Sequence, residues 1–338
     1  MRKSLKVLFF ACLILLLSFP VFAGGGGQSG GGATTINLVG GTMLPEGHVY
    51  WRTVQKFQER MAVNYKGPAT INISLHHSGT LGTEKDAVEF MIQGVAVDFY
   101  VVSPSWIATW EKTTPIIDAP FVFRDVEHWK KAIDQNAFKP IEDVMIRAGM
   151  RIIGYGGGSA RHLITKIPAH TVADFPKIRM RVQGSPVHQR AFSAAGFQAT
   201  PLDYMEVYNA IATGVLDALE NEPAGLQSMK FYEVAPYLVL TNHQIQTRLL
   251  GFSEKRFQSF PKDVQDAILK SGAEASAFHR DTEIGEAENQ IADMARNNGL
   301  NVIQFDNTEM RNKAMPAVEA YAKEIGAENL LRAVQNVR

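Results

Sequence analysis

The chain has 338 residues, 46% hydrophobic and 20% charged, the proportions of an ordinary globular protein. Its length suits one large or two modest domains. The 34 Lys plus Arg cancel the 34 Asp plus Glu, and this balance argues against a nucleic-acid protein, which carries a strong basic excess.

The first 23 residues read as a secretory signal. Arg2, Lys3 and Lys6 precede an apolar run over 7–17, and Val21-Phe22-Ala23 offers a small-residue cleavage site. The run is too short to span a bilayer, and no later stretch approaches the roughly 18 apolar residues a span needs. Cleavage after Ala23 removes three cations and the single cysteine, Cys12. The mature chain then carries 31 cations against 34 anions and forms no disulfide. An exported, cysteine-free protein of this size points to a bacterial periplasm. Residues 24–33 begin GGGGQSGGG and have the composition of a flexible linker. No Lys-Ser/Thr follows these glycines, so they are not a phosphate loop.

Beyond the linker, 36–40 reads as a strand, 48–63 as a helix and 69–75 as an alternating strand. Thr83 caps a helix over 84–93, with Glu84 and Asp86 in its first turn and Gly94 at its end. Residues 95–102 read as a strand. The second half repeats the plan: a strand over 179–182, a helix over 187–195, and a helix that Asp203 caps and Gly214 ends, then a strand over 215–220. Helix–Gly–Val–x–x–Asp at 94–98 recurs as helix–Gly–Val–x–Asp at 214–217. Two α/β units of one plan imply two lobes. A long amphipathic helix over 261–298 exceeds the length of one lobe and is placed to brace both. A strand over 302–305 and a final helix complete the chain.

Metal chemistry finds no ligand spacing: His76 and His77 are adjacent, so on a strand they face opposite ways, and no HExxH or cysteine pattern exists. Gly157-Gly158-Ser159-Ala160-Arg161 begins like a nucleophile elbow, but Arg161 stands where the last glycine belongs. The glycines at 154–158 lack the final glycine of a dinucleotide fingerprint. What remains is arginine. Arg161 follows three glycines after an apolar strand over 150–154. Arg179 and Arg181, two apart, share one strand face while Ile178, Met180 and Val182 pack on the other. A guanidinium fixed on a strand suits bidentate capture of a carboxylate, although solvated surface cations fit the same pattern.

SGTLGTE at 78–84, QGVAVD at 93–98, PFVF at 120–123, GSAR at 158–161, IRMRV at 178–182, EVYNAIATGVLDALEN at 206–221, KFYEV at 230–234 and TNH at 241–243 together strongly resemble the substrate-binding proteins of tripartite ATP-independent periplasmic (TRAP) transporters, the DctP-like family. The resemblance covers about residues 36–330. It implies an α/β fold of the type II periplasmic-binding-protein kind: two α/β lobes with a ligand cleft and a long helix bracing both. The lobes are expected to comprise 34–158 plus about 247–286, and 159–246 plus about 287–338. It further implies a non-catalytic receptor without cofactor or metal, expected to be monomeric, that hands an organic acid to a membrane permease driven by an ion gradient.

Carried over by position, the resemblance gives Arg181 the main bidentate contact to a carboxylate and makes Arg161 a second cation nearby. Asn221 becomes a hydrogen-bond partner of the acid, Tyr204 an aromatic wall, and Ser103 and Glu84 first-lobe contacts to the rest of the ligand. Gln183 stands where the family usually has proline, and Leu219 and Glu222 where Gln and Pro are common. Gly156 to Gly158 are expected to form part of the hinge. Tyr50, Trp51, Phe99, Tyr100 and Trp106 fall near cleft-facing segments. Were two of them to face the cleft, an aromatic or 2-oxo monocarboxylate is favoured over a sugar acid. A ligand sensor for a signalling receptor and an exported hydrolase stand as alternatives.

Overall fold

The computed structural model describes residues 34–338. The leader, the glycine-rich linker and Cys12 lie outside the described residues. The first α/β unit runs β1 (Thr35–Gly41), α1 (Val49–Asn64), β2 (Thr70–His76), α2 (Glu84–Gln93) and β3 (Phe99–Val102). β1 lies between β2 and β3 and is parallel to both. α2 has the boundaries its sequence implies: Thr83 and Asp86 form a reciprocal capping box, and Gly94 ends it in the left-handed region. His48 proves to be the cap of α1, its Nδ1 accepting from the Tyr50 N–H. β3 is shorter than expected because Gly94 and Ala96 both take positive φ, which keeps 95–98 in turns.

Two helices, α3 (Val126–Asp134) and α4 (Lys139–Ala148), lead into the long strand β4 (Met150–Thr165). The second unit follows as β5 (Arg179–Val182), α5 (Pro186–Ala195), β6 (Gln198–Pro201), α6 (Val207–Ala212) and β7 (Ala218–Asn221). Here β5 lies parallel between β6 and β7, the arrangement of β1 between β2 and β3. The expected helix start after Asp203 is a single 3₁₀ turn, and the Asp203 side chain makes no capping bond. After α7 (Pro223–Ser228) comes the second long strand, β8 (Tyr237–Ser253).

β4 and β8 run antiparallel along their lengths. At one end β8 pairs with β3 through 249–252, and at the other β4 pairs with β7 through 162–165. The two units thus hang from opposite ends of a two-strand ribbon within one sheet. Gly157 and Gly158 lie inside β4, at a register shift between Gly157 and Ala160, both with positive φ. A Cβ at Gly157 would stand 2.3 Å from the Gln246 carbonyl of β8, so only glycine lets the strands approach there.

α8 (Glu254–Gln258) turns the chain into α9 (Lys262–Asn298), 37 residues and about 55 Å long. α9 packs on α1 of the first unit, on β4, and on α7 beyond the second unit. β9 (Asn301–Gln304) adds to the start of β8, and α10 (Thr308–Glu324) packs on α5. The expected single final helix is two, because α11 (Glu328–Gln335) turns toward the segment before α3, where Arg124 donates to the carbonyls of Gln335 and Val337.

Candidate functional site

A cavity lies between the two units, over the β4–β8 ribbon. All six residues implied by the resemblance line it: Glu84 and Ser103 from the first unit, and Arg161, Arg181, Tyr204 and Asn221 from the other side. Met43, Leu44, Tyr50, Trp106, Gln183, Glu222 and Arg248 complete the wall.

Three buried guanidiniums meet there, in different states. Arg161, on β4, has all five N–H donors engaged. Nε bonds Glu220 Oε2 at 2.6 Å, one terminal nitrogen bonds Glu222 Oε2 at 2.8 Å and Gln246 Oε1, and the other bonds Glu220 O at 2.8 Å and Oε1 at 3.0 Å. Burial alone lowers its pKa, but Glu220 and Glu222 outweigh that and raise it. Arg248 donates to the Tyr50 hydroxyl, to Thr247 O at 2.7 Å, to Gln246 Oε1 at 2.7 Å and to Asp118 Oδ2 at 3.4 Å.

Arg181 differs. It is 2% exposed, and its Nε bonds Leu202 O at 2.9 Å. Among the described residues its terminal nitrogens have no hydrogen-bond acceptor and no carboxylate within ion-pair distance. The Tyr204 ring lies 5.5 Å from the guanidinium carbon. Burial pulls its pKa down to about 10, so the group remains charged at neutral pH while lacking a partner. A desolvated cation with four free donors is poised for an anion.

The remaining polar groups surround that cation. Asn221 ends β7 and donates through Nδ2 to the Tyr204 hydroxyl at 2.6 Å. Glu84, the first residue of α2, accepts from the Ser103 N–H at 3.2 Å. Burial raises its pKa, and Arg248 and the Ser103 N–H only partly counter this. Ser103 Oγ lies 3.0 Å from Asp118 Oδ2 and 2.8 Å from Gln183 Oε1. Glu222 bonds Arg161, and its other oxygen stands 3.7 Å from His48 Nε2. Ser103–Gln183 and His48–Glu222 each join the two units across the cavity, as does Trp106 packed over Gly184.

Several expectations change. Arg179 shares a strand face with Arg181 but sits at the strand's exposed end, where it pairs with Asp217 at 2.7 Å. Ser159 is buried and donates to Glu283 at 2.7 Å, with no histidine as its base. Of the five first-lobe aromatics, Tyr50 and Trp106 line the cavity, which meets the condition set for an aromatic or 2-oxo acid. The rest of the wall argues against that preference. The Tyr50 hydroxyl is held by Arg248 and Gln246, Phe99 and Tyr100 lie in the core, and Trp51 packs against His77. The terminal donors of Arg181 and the Gln183 amide nitrogen share the wall with the two rings, and an apolar ring buried against them would leave them unpaired.

Arg248 was not singled out from the sequence. Its signal is its position as the one Lys, Arg, Asp or Glu in the 17 residues of β8, a mostly buried strand. Gln183 and Glu222 were noted only as departures from the family, and their cavity positions follow from the fold.

A two-unit α/β fold on a crossing ribbon, with an unpaired buried cation between the units, defines a ligand-capturing receptor. Residues 40–329 match the family described as bacterial extracellular solute-binding protein, family 7. A solute-binding protein of Sulfitobacter sp. strain NAS-14.1 is 40% identical over 300 residues, covering 88% of this chain and 90% of its own. A crystal structure of a TRAP periplasmic solute-binding protein from Sulfitobacter sp. NAS-14.1, with bound α-D-taluronate, superposes with a TM-score of 0.85 at 40% identity, over 89% of this chain and 97% of that one. Another from that organism, with bound β-D-galacturonate, gives 0.84 at 25% identity, over 89% and 100%. The chain belongs to this family, the TRAP solute-binding proteins of the DctP kind, which are receptors and not enzymes. Among the described residues, no helix is long and apolar enough to cross a membrane.

Proposed function

We propose that this protein captures a sugar acid of the hexuronate class in the periplasm and delivers it to a TRAP permease. The observation that carries the reading is Arg181, a buried guanidinium without a counter-ion in a cavity otherwise rich in hydrogen-bonding groups. The ligand carboxylate takes the free donors of Arg181, with Asn221 beside it. Arg161 contributes charge, because its donors are already engaged. Glu84, Ser103, Gln183 and Glu222 serve the hydroxyls of the carbon chain, and Tyr204 and Trp106 offer ring faces, as aromatic side chains do for sugars. The uronates bound by the two Sulfitobacter structures support the same class.

The lobes in this reading are 34–158 with about 247–286, and 159–246 with about 287–338, closing by flexure of the β4–β8 ribbon near Gly157. The leader is removed near Ala23, and the mature protein acts as a monomer.

A thermal-shift screen followed by calorimetry tests the proposal. D-taluronate, D-galacturonate and D-glucuronate are expected to raise the melting temperature, since a ligand that binds only the folded state stabilises it. Benzoate, phenylacetate and pyruvate should leave it unmoved, and bound uronate should be recovered unchanged. A response to the aromatic or 2-oxo acids alone would overturn the reading.

A further inference from the structure

Gln183 follows β5 and lies two residues beyond Arg181, on the same strand face. It is 3% exposed and lines the cavity. Its Oε1 lies 2.8 Å from Ser103 Oγ across the cavity, while its Nε2 is buried with no hydrogen-bond partner.

The Ser103 hydroxyl has one proton and two neighbouring acceptors, Gln183 Oε1 and Asp118 Oδ2, and already accepts from the Ser105 N–H at 3.2 Å. An amide side chain fits its site in either of two orientations, and the hydrogen bonds decide between them. In one orientation, Ser103 donates to Gln183 and the amide NH₂ is left unpaired. Turned over, the NH₂ donates to Ser103, the Ser103 proton goes to Asp118, and the amide oxygen is left unpaired. Either way, one end of the amide holds the first unit and the other is buried without a partner. A ligand hydroxyl both donates and accepts, so it satisfies either orientation. A methylene satisfies neither.

We propose that Gln183 is a specificity-determining residue that reads one hydroxyl of the ligand whose carboxylate Arg181 holds. The inference rests on the sugar-acid reading above. A site that hydrogen-bonds a hydroxyl rejects the analogue lacking it, because its own polar group is then left unpaired in a dry cavity.

The test is calorimetric titration of the wild-type protein and Gln183→Met with D-galacturonate and its 2-, 3- and 4-deoxy analogues. Methionine keeps the length of the side chain and removes both polar atoms, and the melting temperature of the unliganded variant verifies that it folds. The wild type is expected to bind one of the three analogues at least 10-fold more weakly than the parent. Q183M should lose at least 10-fold for the parent and show no further loss for that analogue. Unchanged binding of the parent by Q183M overturns the inference. So does an equal loss for the parent and all three analogues, which would make Gln183 a contact between the two units alone. If the wild type binds no uronate at all, the proposed function fails and this inference with it. If it binds uronate but Q183M does not discriminate as stated, only the inference fails.

Discussion

A guanidinium offers five N–H donors, and the number a fold leaves unused decides what else the group can hold. Arg161 has none free, whereas Arg181 has four, at almost equal burial. Lowering the pKa of Arg181 to about 10 corresponds to a folding cost on the order of 3 kcal/mol, present at neutral pH where the group is charged. Function and stability therefore conflict at this residue. Arg181→Met should weaken uronate binding roughly 30-fold to several thousand-fold, the range for truncating one partner of a desolvated charge pair. The same substitution should raise the melting temperature of the unliganded protein, at about 2–4 °C per kcal/mol gained. Unchanged calorimetric affinity would remove Arg181 from the site, and a lowered melting temperature would show its buried charge to be compensated. In the sequence, Arg181 was legible through its alternating strand and the family motif. Arg248 was less so, because a lone arginine in a long strand says nothing about the tyrosine and aspartate that will surround it.

At the scale of elements, the recurring Gly–Val–Asp phrase marks a real repeat. Asp98 accepts from the Val39 N–H of β1 at 2.7 Å, and Asp217 accepts from the Arg179 N–H of β5 at 3.0 Å. Each carboxylate thus ties the end of one helix–strand connection to the central strand of its unit, and each is paired with an arginine, Arg256 or Arg179. That much was legible because helix stops and caps are local signals. The joining of β4 and β8 was not, because antiparallel pairing between strands some 80 residues apart depends on contacts that no local pattern encodes. The two units also meet at Gly184, where a Cβ would lie 2.3 Å from Cζ3 of the Trp106 ring. An indole is rigid, so alanine there opposes the approach of the units while leaving each unit intact. Gly184→Ala is expected to weaken uronate binding on the order of 10-fold, the scale of a modest overpacking cost, with little change in unliganded melting temperature. Wild-type affinity in G184A would mean that Trp106 moves aside freely.

For the whole molecule, the response to acid follows from histidines buried throughout it. His162 lies on β4, His188 on α5, His243 on β8 and His279 on α9, each no more than 5% exposed. Burial lowers all four pKa values, that of His162 to about 3, and Glu220 and Glu283 only partly offset this for His243 and His279. A base with a depressed folded pKa binds its proton more readily after unfolding. Below the ordinary histidine pKa near 6.5, the unfolded chain takes up protons that the folded protein refuses, so stability falls with pH. Each histidine adds a slope of up to about 1.4 kcal/mol per pH unit between its unfolded and folded pKa values. Glu220 has the same sign in a lower window. Burial pushes its carboxyl up, but Arg161 and His243 hold it well below the usual carboxylate range, so its contribution is lost only below about pH 4.5. Melting temperature should therefore begin to drop between pH 6.5 and 5, before the carboxylates titrate. His162→Gln, which removes a buried base whose pKa lies near 3, should flatten that part of the profile relative to wild type. A wild-type melting temperature that stays level from pH 7.5 to 5 would show that these histidines can take up protons within the fold. The buried network linking His243 to His279 through Glu220, Arg161, Gln246 and Glu283 would then be looser than its hydrogen bonds imply.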